Sequence, residues 1–323
     1  MRTILLFISL VASFSALAQE TLEQIKENAA TFSAQGLHEE ALKYRMLQLK
    51  QEPSGLVYGQ IGFELIYLDR EEEAKSYLEK ATTLTPSEPS HWVNLSMTYS
   101  NLKQYEEALQ ILNKALEINP DYEGSLAAKA KCLYKLNRYD ESLPILNKLL
   151  ESKKFELDLI FTRGKILLQK GELENARIDF TRALSVNPNH YGSLSGLAEA
   201  LQKQENYPEE ILIRKRIMEL YTDNNESDLI GLSYALLGLA YNNAGEYENA
   251  LSAFNSAIAL EKSYAEVFIQ RCIAKIQLKD LEGACADLSE AMRLKPEEAS
   301  DMRDFFEEDP EFSEFLASCS PEL

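Results

Sequence analysis

Small residues return along this chain every 34 positions from residue 22 to residue 298, with longer apolar and charged positions between them. A period of that length predicts one supersecondary unit per repeat, each able to bury its apolar face only against its neighbours. Eight units fit, at 22–54, 55–88, 89–122, 123–156, 157–190, 191–230, 231–264 and 265–298, and six of them are 34 residues long. The eighth position carries Ala29, Gly62, Ser96, Ala130, Gly164, Ala198, Gly238 and Cys272. The twentieth carries Ala41, Ala74, Ala108, Ser142, Ala176, Ala250 and Ala284, and the twenty-seventh Ala81, Ala115, Ala183, Ala257 and Ala291 in the best-formed units. Side chains this small predict a hairpin of two closely approaching helices, since larger ones would wedge the pair apart. Position 32 is Pro53, Pro86, Pro120, Pro188 and Pro296. Each proline ends a helix, because it lacks the amide hydrogen and clashes with the preceding turn.

The unit running through Trp92, Leu95, Ser96, Tyr99, Ala108, Leu112, Ala115 and Pro120 closely resembles the tetratricopeptide repeat. The resemblance implies an all-α, right-handed superhelical solenoid of about eight hairpins. It also implies a docking surface for other proteins and no catalysis, and it is nearly silent on which partner is bound.

Two stretches depart from the period. The sixth unit is 40 residues long, has Pro208 just after Tyr207, and offers Glu210 or Ile211 where alanine is expected. Its polar run Thr222, Asp223, Asn224, Asn225, Glu226, Ser227 and Asp228 reads as a lengthened turn, and the looser packing predicts a bend. Beyond the last unit, Phe305, Phe306, Phe312, Phe315 and Leu316 predict a capping helix over 299–316, because a solenoid must shield its terminal apolar face. Residues 317–323 read as a loose tail.

The N-terminus changes the setting. Arg2, the apolar run Ile4 to Val11 and the cleavage-site pattern Ala16, Leu17, Ala18 predict a signal peptide over 1–18, cleaved before Gln19. The mature chain is then expected to be exported, periplasmic or secreted, with no later segment able to insert in a membrane. Its net charge, formally −19 for the whole chain, argues against nucleic acid, whose phosphates need lysine and arginine to displace counterions. Cys132, Cys272, Cys285 and Cys319 form no CxxC pair, and no histidine stands to complete a zinc site. Cys272 fills a packing position and is expected as a buried free thiol. A bridge within the last repeat, or from Cys285 to Cys319, is the alternative.

Chemistry is not evident. His38, His91 and His190 each lie near a hairpin turn or unit junction, without a plausible nucleophile beside them, and no glycine-rich phosphate loop occurs. No cofactor or catalytic residue is assigned. In the family the inner face is lined by the first helix of each hairpin. Counting along it gives Phe63, Tyr67, Asn94, Met97 and Asn101, an apolar and amide surface, followed by Lys131, Lys135, Lys165 and Lys203. Lysines gathered on an acidic protein suggest an acidic or C-terminal peptide as ligand, although Asp158 and Glu199 stand close enough to neutralise them. The carboxylate clamp that some family members use is absent, since only Asn94 fits it, with Gly59, Phe63, Gly124 and Ala128 in the other places. The expected function is a non-catalytic adaptor that binds a peptide or protein segment in its groove. A structural subunit of an envelope or export assembly, contacting partners by its ends or convex face, is the alternative, and glycan binding by the aromatic stretch is a third.

Overall fold

The structure, a computed structural model, describes residues 20–152, 156–223, 227–260, 265–296, 315 and 319. The expected signal peptide, most of the expected cap and most of the tail lie outside them. Within the described residues the chain forms sixteen α-helices and no strand, in two compact units that divide after Ser152. The first unit holds α1 (Leu22–Ala34), α2 (His38–Gln51), α3 (Gly55–Tyr67), α4 (Glu71–Leu84), α5 (Pro89–Asn101), α6 (Tyr105–Ile118), α7 (Glu123–Lys135) and α8 (Tyr139–Ser152). The second holds α9 (Leu157–Gln169), α10 (Leu173–Val186), α11 (Tyr191–Lys203), α12 (Tyr207–Asp223), α13 (Ser227–Asn243), α14 (Tyr247–Ala259), α15 (Ala265–Gln277) and α16 (Leu281–Leu294).

Consecutive helices pair into eight hairpins, and one left-handed residue turns each of them: Gly36, Asp69, Lys103 and Asn137 in the first unit, Gly171, Glu205, Gly245 and Lys279 in the second. The amide of the next residue then reaches back to the carbonyl five positions earlier, at 2.8–3.0 Å, closing the first helix with a Schellman bond. Only three of the eight are glycine, so five hairpins accept the strain of a side chain at positive φ. The five repeating prolines each stand two residues beyond the end of α2, α4, α6, α10 or α16, where the missing amide costs no helical bond.

The small positions face one another as expected. In the fourth hairpin the Ser142 hydroxyl donates to the Ala130 carbonyl at 2.8 Å, tying the twentieth position directly to the eighth. Added Cβ atoms on Gly62 and Gly238 would collide with Leu78 and Phe254 of the partner helix, so glycine there is a packing requirement.

The sixth hairpin keeps this register. In every hairpin the amide at the twentieth position donates to the carbonyl four residues earlier, and here that residue is Glu210, bonded to Asn206. Glu210 therefore takes the alanine slot, and it is fully buried there. The extra length falls between Glu205 and Gly245 and largely extends helices: α12 and α13 each run 17 residues. Thr222 and Asp223 belong to α12, and Ser227 and Asp228 to α13, so most of the polar run expected as a lengthened turn is helical. Thr222 shows why, since its hydroxyl bonds the Met218 carbonyl one turn back and lets a polar residue continue the helix.

At the C-terminal end Phe315 is buried among Phe268, Cys272, Leu288 and Ala291 of the last hairpin. Cys285 and Cys319 are joined by a disulfide, while Cys132 and Cys272 are free and buried. Burial, with Asp287 nearby, pushes the Cys272 thiol up to about 12, so it stays protonated and packs as a small apolar side chain.

Candidate functional site

A groove in the first unit lies where α5 and α7 present small residues. Val93, Met97 and Asn101 follow one another at four-residue spacing along α5. Gly124, Ala127, Ala128, Lys131 and Lys135 line the facing side from α7, and Tyr105 closes one edge from α6. Gly124 and the two alanines leave a cavity of about 540 Å³. Its floor is apolar and its rim carries amide and ammonium groups: Asn101 donates to Glu71 at 3.2 Å, and the Lys135 ammonium sits 5.8 Å from the Tyr134 ring. Four of the residues counted from the sequence, Met97, Asn101, Lys131 and Lys135, are thus brought to one site.

Phe63 and Tyr67 belong elsewhere. The Tyr67 ring stacks on His38 at 4.6 Å and tilts against Phe63 at 4.8 Å, while His38 Nδ1 bonds the buried Glu64 carboxylate at 2.7 Å. Tyr67 remains 53% exposed, so the aromatic cluster keeps a face to solvent. Phe63 and Asn94 line a second cavity of about 240 Å³ with Arg45, Gln60, Glu64 and His91. His91 is held there by the Thr85 hydroxyl at 2.9 Å, and burial holds its pKa below the usual imidazole value. Gly59 is small because a Cβ would come within 2.5 Å of the His91 ring. His190 accepts from the Ser193 amide at the start of α11, so it serves as a helix cap.

In the second unit the lysines are distributed differently. Lys165 on α9 is half-buried with its ammonium 5.8 Å from the Phe161 ring, and Lys203 on α11 pairs with Glu199 at 3.5 Å. The cavity there, about 310 Å³, is lined by Glu199, Ser195, Gln202, Ser233 and Arg214 and does not include either lysine. Its cation comes from the second helix of the hairpin, where Arg214 donates to buried Glu210 at 2.6 Å. Sequence reasoning followed first helices only and so missed Arg214 and its counterpart Arg45. The signal was present, because both stand four residues after the twentieth position, where other units have leucine or phenylalanine.

Among the described residues no group of three or more His, Cys, Asp or Glu side chains could hold a metal ion, and no helix is long and apolar enough to cross a membrane.

Helical hairpins of this kind, following one another along the chain, define an all-α repeat protein. Residues 102–157 match one tetratricopeptide repeat family model, and residues 157–190 and 232–264 match another. The chain is a tetratricopeptide repeat protein. Residues 31–123 also match the model of ChAPs, the Chs5p-Arf1p-binding proteins. Among solved structures, a tetratricopeptide repeat protein from Parabacteroides merdae is 18% identical over 77% of this chain and 96% of its own, with a TM-score of 0.52. The APC/C hetero-tetramer Cut9-Hcn1 gives 17% identity over 91% of this chain and 57% of that one, with a TM-score of 0.56. MamA from Desulfovibrio magneticus is 18% identical over 52% of this chain and 96% of its own, with a TM-score of 0.48. At such identities the likeness is one of fold. No match was found among curated proteins.

Proposed function

We propose that the chain is an exported, non-catalytic scaffold that binds a peptide or protein segment in the groove between α5 and α7. The observation that carries this reading is the cavity of about 540 Å³ that gathers Met97, Asn101, Lys131 and Lys135 on adjacent first helices. An apolar floor with a polar rim suits the side chains of an extended segment or one helix face. Lys131 and Lys135 are one turn apart, an arrangement that costs a helix a few tenths of a kcal/mol and favours an acidic segment as ligand. The disulfide between Cys285 and Cys319 supports export, since cytosolic thiols are normally kept reduced.

The test is affinity capture from envelope extract with residues 19–323, beside a Lys131→Glu, Lys135→Glu variant. A partner retained by the native chain, released by salt and lost from the variant is expected. A partner held equally by both would move the contact to the ends or the convex face. N-terminal sequencing of the exported chain should read from Gln19, and a retained Met1 would sink the export reading.

A further inference from the structure

Six hairpins place Leu78, Leu112, Leu146, Phe180, Phe254 or Leu288 four residues after the twentieth position, each buried in its hairpin. The first and sixth place Arg45 and Arg214 there, only 7% and 8% exposed. Arg214 recovers its lost hydration from Glu210 on its own helix. Arg45 does not: its Nη1 donates to Gln48 at 3.0 Å, its Nε is buried without a partner, and burial lowers its pKa, opposed only by the field of Glu64. Glu64 is itself engaged by His38.

Arg45 and Gln60 line the same 240 Å³ cavity, and Gln60 Oε1 is also buried without a partner. Five buried side-chain polar atoms are unmatched among the described residues, and two of them, one donor and one acceptor, belong to this single cavity. Buried polar groups are nearly always hydrogen-bonded, so an unmatched donor and an unmatched acceptor on the walls of one cavity point to a guest that offers both.

We infer that this cavity is a binding site for an uncharged amide, whose carbonyl accepts from Arg45 and whose N–H donates to Gln60. A carboxylate would satisfy Arg45 but give Gln60 nothing, and Glu64 in the same wall opposes a second negative charge. Leu56 and Phe63 supply apolar contact for the carbon attached to the amide. Such a group comes from an asparagine or glutamine side chain or from a peptide bond. The site deepens the scaffold reading and rests on it for the identity of the carrier as a polypeptide.

The experiment is a ¹H–¹⁵N titration of the full chain, following the arginine Nε–H signals and, so that Arg45→Leu can be read as well, the backbone amides of Gly59, Gln60, Phe63 and Asn94 around the cavity, with acetamide for the side-chain source, N-methylacetamide for the peptide bond, and acetate as the anion. Saturable shifts of the Arg45 signal by at least one amide, at concentrations about tenfold lower than acetate requires, are expected. Arg45→Leu and Gln60→Leu install what Leu78 and Leu236 are at the equivalent positions, so both should fold, and each should weaken amide binding about tenfold. An amide response absent from the native chain, matched by acetate, or unchanged in Arg45→Leu overturns the proposal. The Lys131→Glu, Lys135→Glu variant is titrated alongside. Its amide response should equal that of the native chain, which keeps a failure of the groove reading separate from a failure of this one.

Discussion

The first and sixth hairpins make the same substitution and resolve it in opposite ways. Each replaces a core leucine with arginine, but α12 supplies a carboxylate one turn away, from the slot that holds alanine or serine in the other seven units. In α2 that slot stays Ala41, and the guanidinium is left with Gln48 and the field of a glutamate already bonded to histidine. The sixth hairpin thus gives its arginine a carboxylate partner, although Glu210 Oε2 stays buried without a hydrogen bond. An incompletely paired arginine keeps a donor available, which is why the further binding site is assigned to the first hairpin.

The largest effect should come from breaking the Arg214–Glu210 pair. Glu210→Ala restores the residue common to most units but strands Arg214 beside a hydrophobic core, and should destabilise the second unit by about 3–5 kcal/mol. Denaturation followed by helicity, with hydrogen exchange locating the loss in α12, measures it. Adding Arg214→Leu rebuilds the Ala–Leu arrangement seen at Ala74 and Leu78, and should return stability to the native level or about 1–4 kcal/mol above it. If the double variant is no more stable than the single one, the pair is doing something that a leucine cannot replace. Arg45→Leu strands no charge, only the Gln48 side-chain oxygen, and should stabilise the first unit by about 1 kcal/mol as loss of an unmatched buried donor outweighs that bond. A loss of stability there would show that Gln48 and Glu64 already satisfy the guanidinium.

Much of the fold was legible in the sequence because hairpin packing is local. Close approach demands Ala, Gly or Ser at fixed positions, and the prolines mark where second helices stop, so period, register and helix order followed. The hairpin turns were less legible: Lys103, Glu205 and Lys279 adopt positive φ because the Schellman bond outweighs the cost of a side chain. The site was legible in part. Met97, Asn101, Lys131 and Lys135 converge because four-residue steps on α5 and α7 share one face. Phe63 and Tyr67 were drawn aside by His38, from the second helix of the preceding hairpin, and that contact has no signature in a count along first helices. Glu210 was ambiguous with Ile211 until backbone bonds fixed which one fills the slot.

The smallest and most selective difference between the hairpins should appear on acidification. Burial raises the Glu210 pKa above the ordinary carboxylate value, with Arg214 only partly opposing it. In the window between the unfolded and folded values the native state holds more proton than the unfolded chain. Stability contributed by this group is therefore fully present below the unfolded value near 4.5 and is lost as pH rises through the folded value. Glu210→Gln carries no such titration. Lowering the pH from 7 to 5 should make the native chain more stable relative to Glu210→Gln, read as the difference of their denaturation midpoints at the two pH values. A Glu210 difference that stays flat, or grows as the pH rises, would mean that Arg214 holds the carboxylate ionised across the range, and the sixth hairpin would then be paired more tightly than its burial implies.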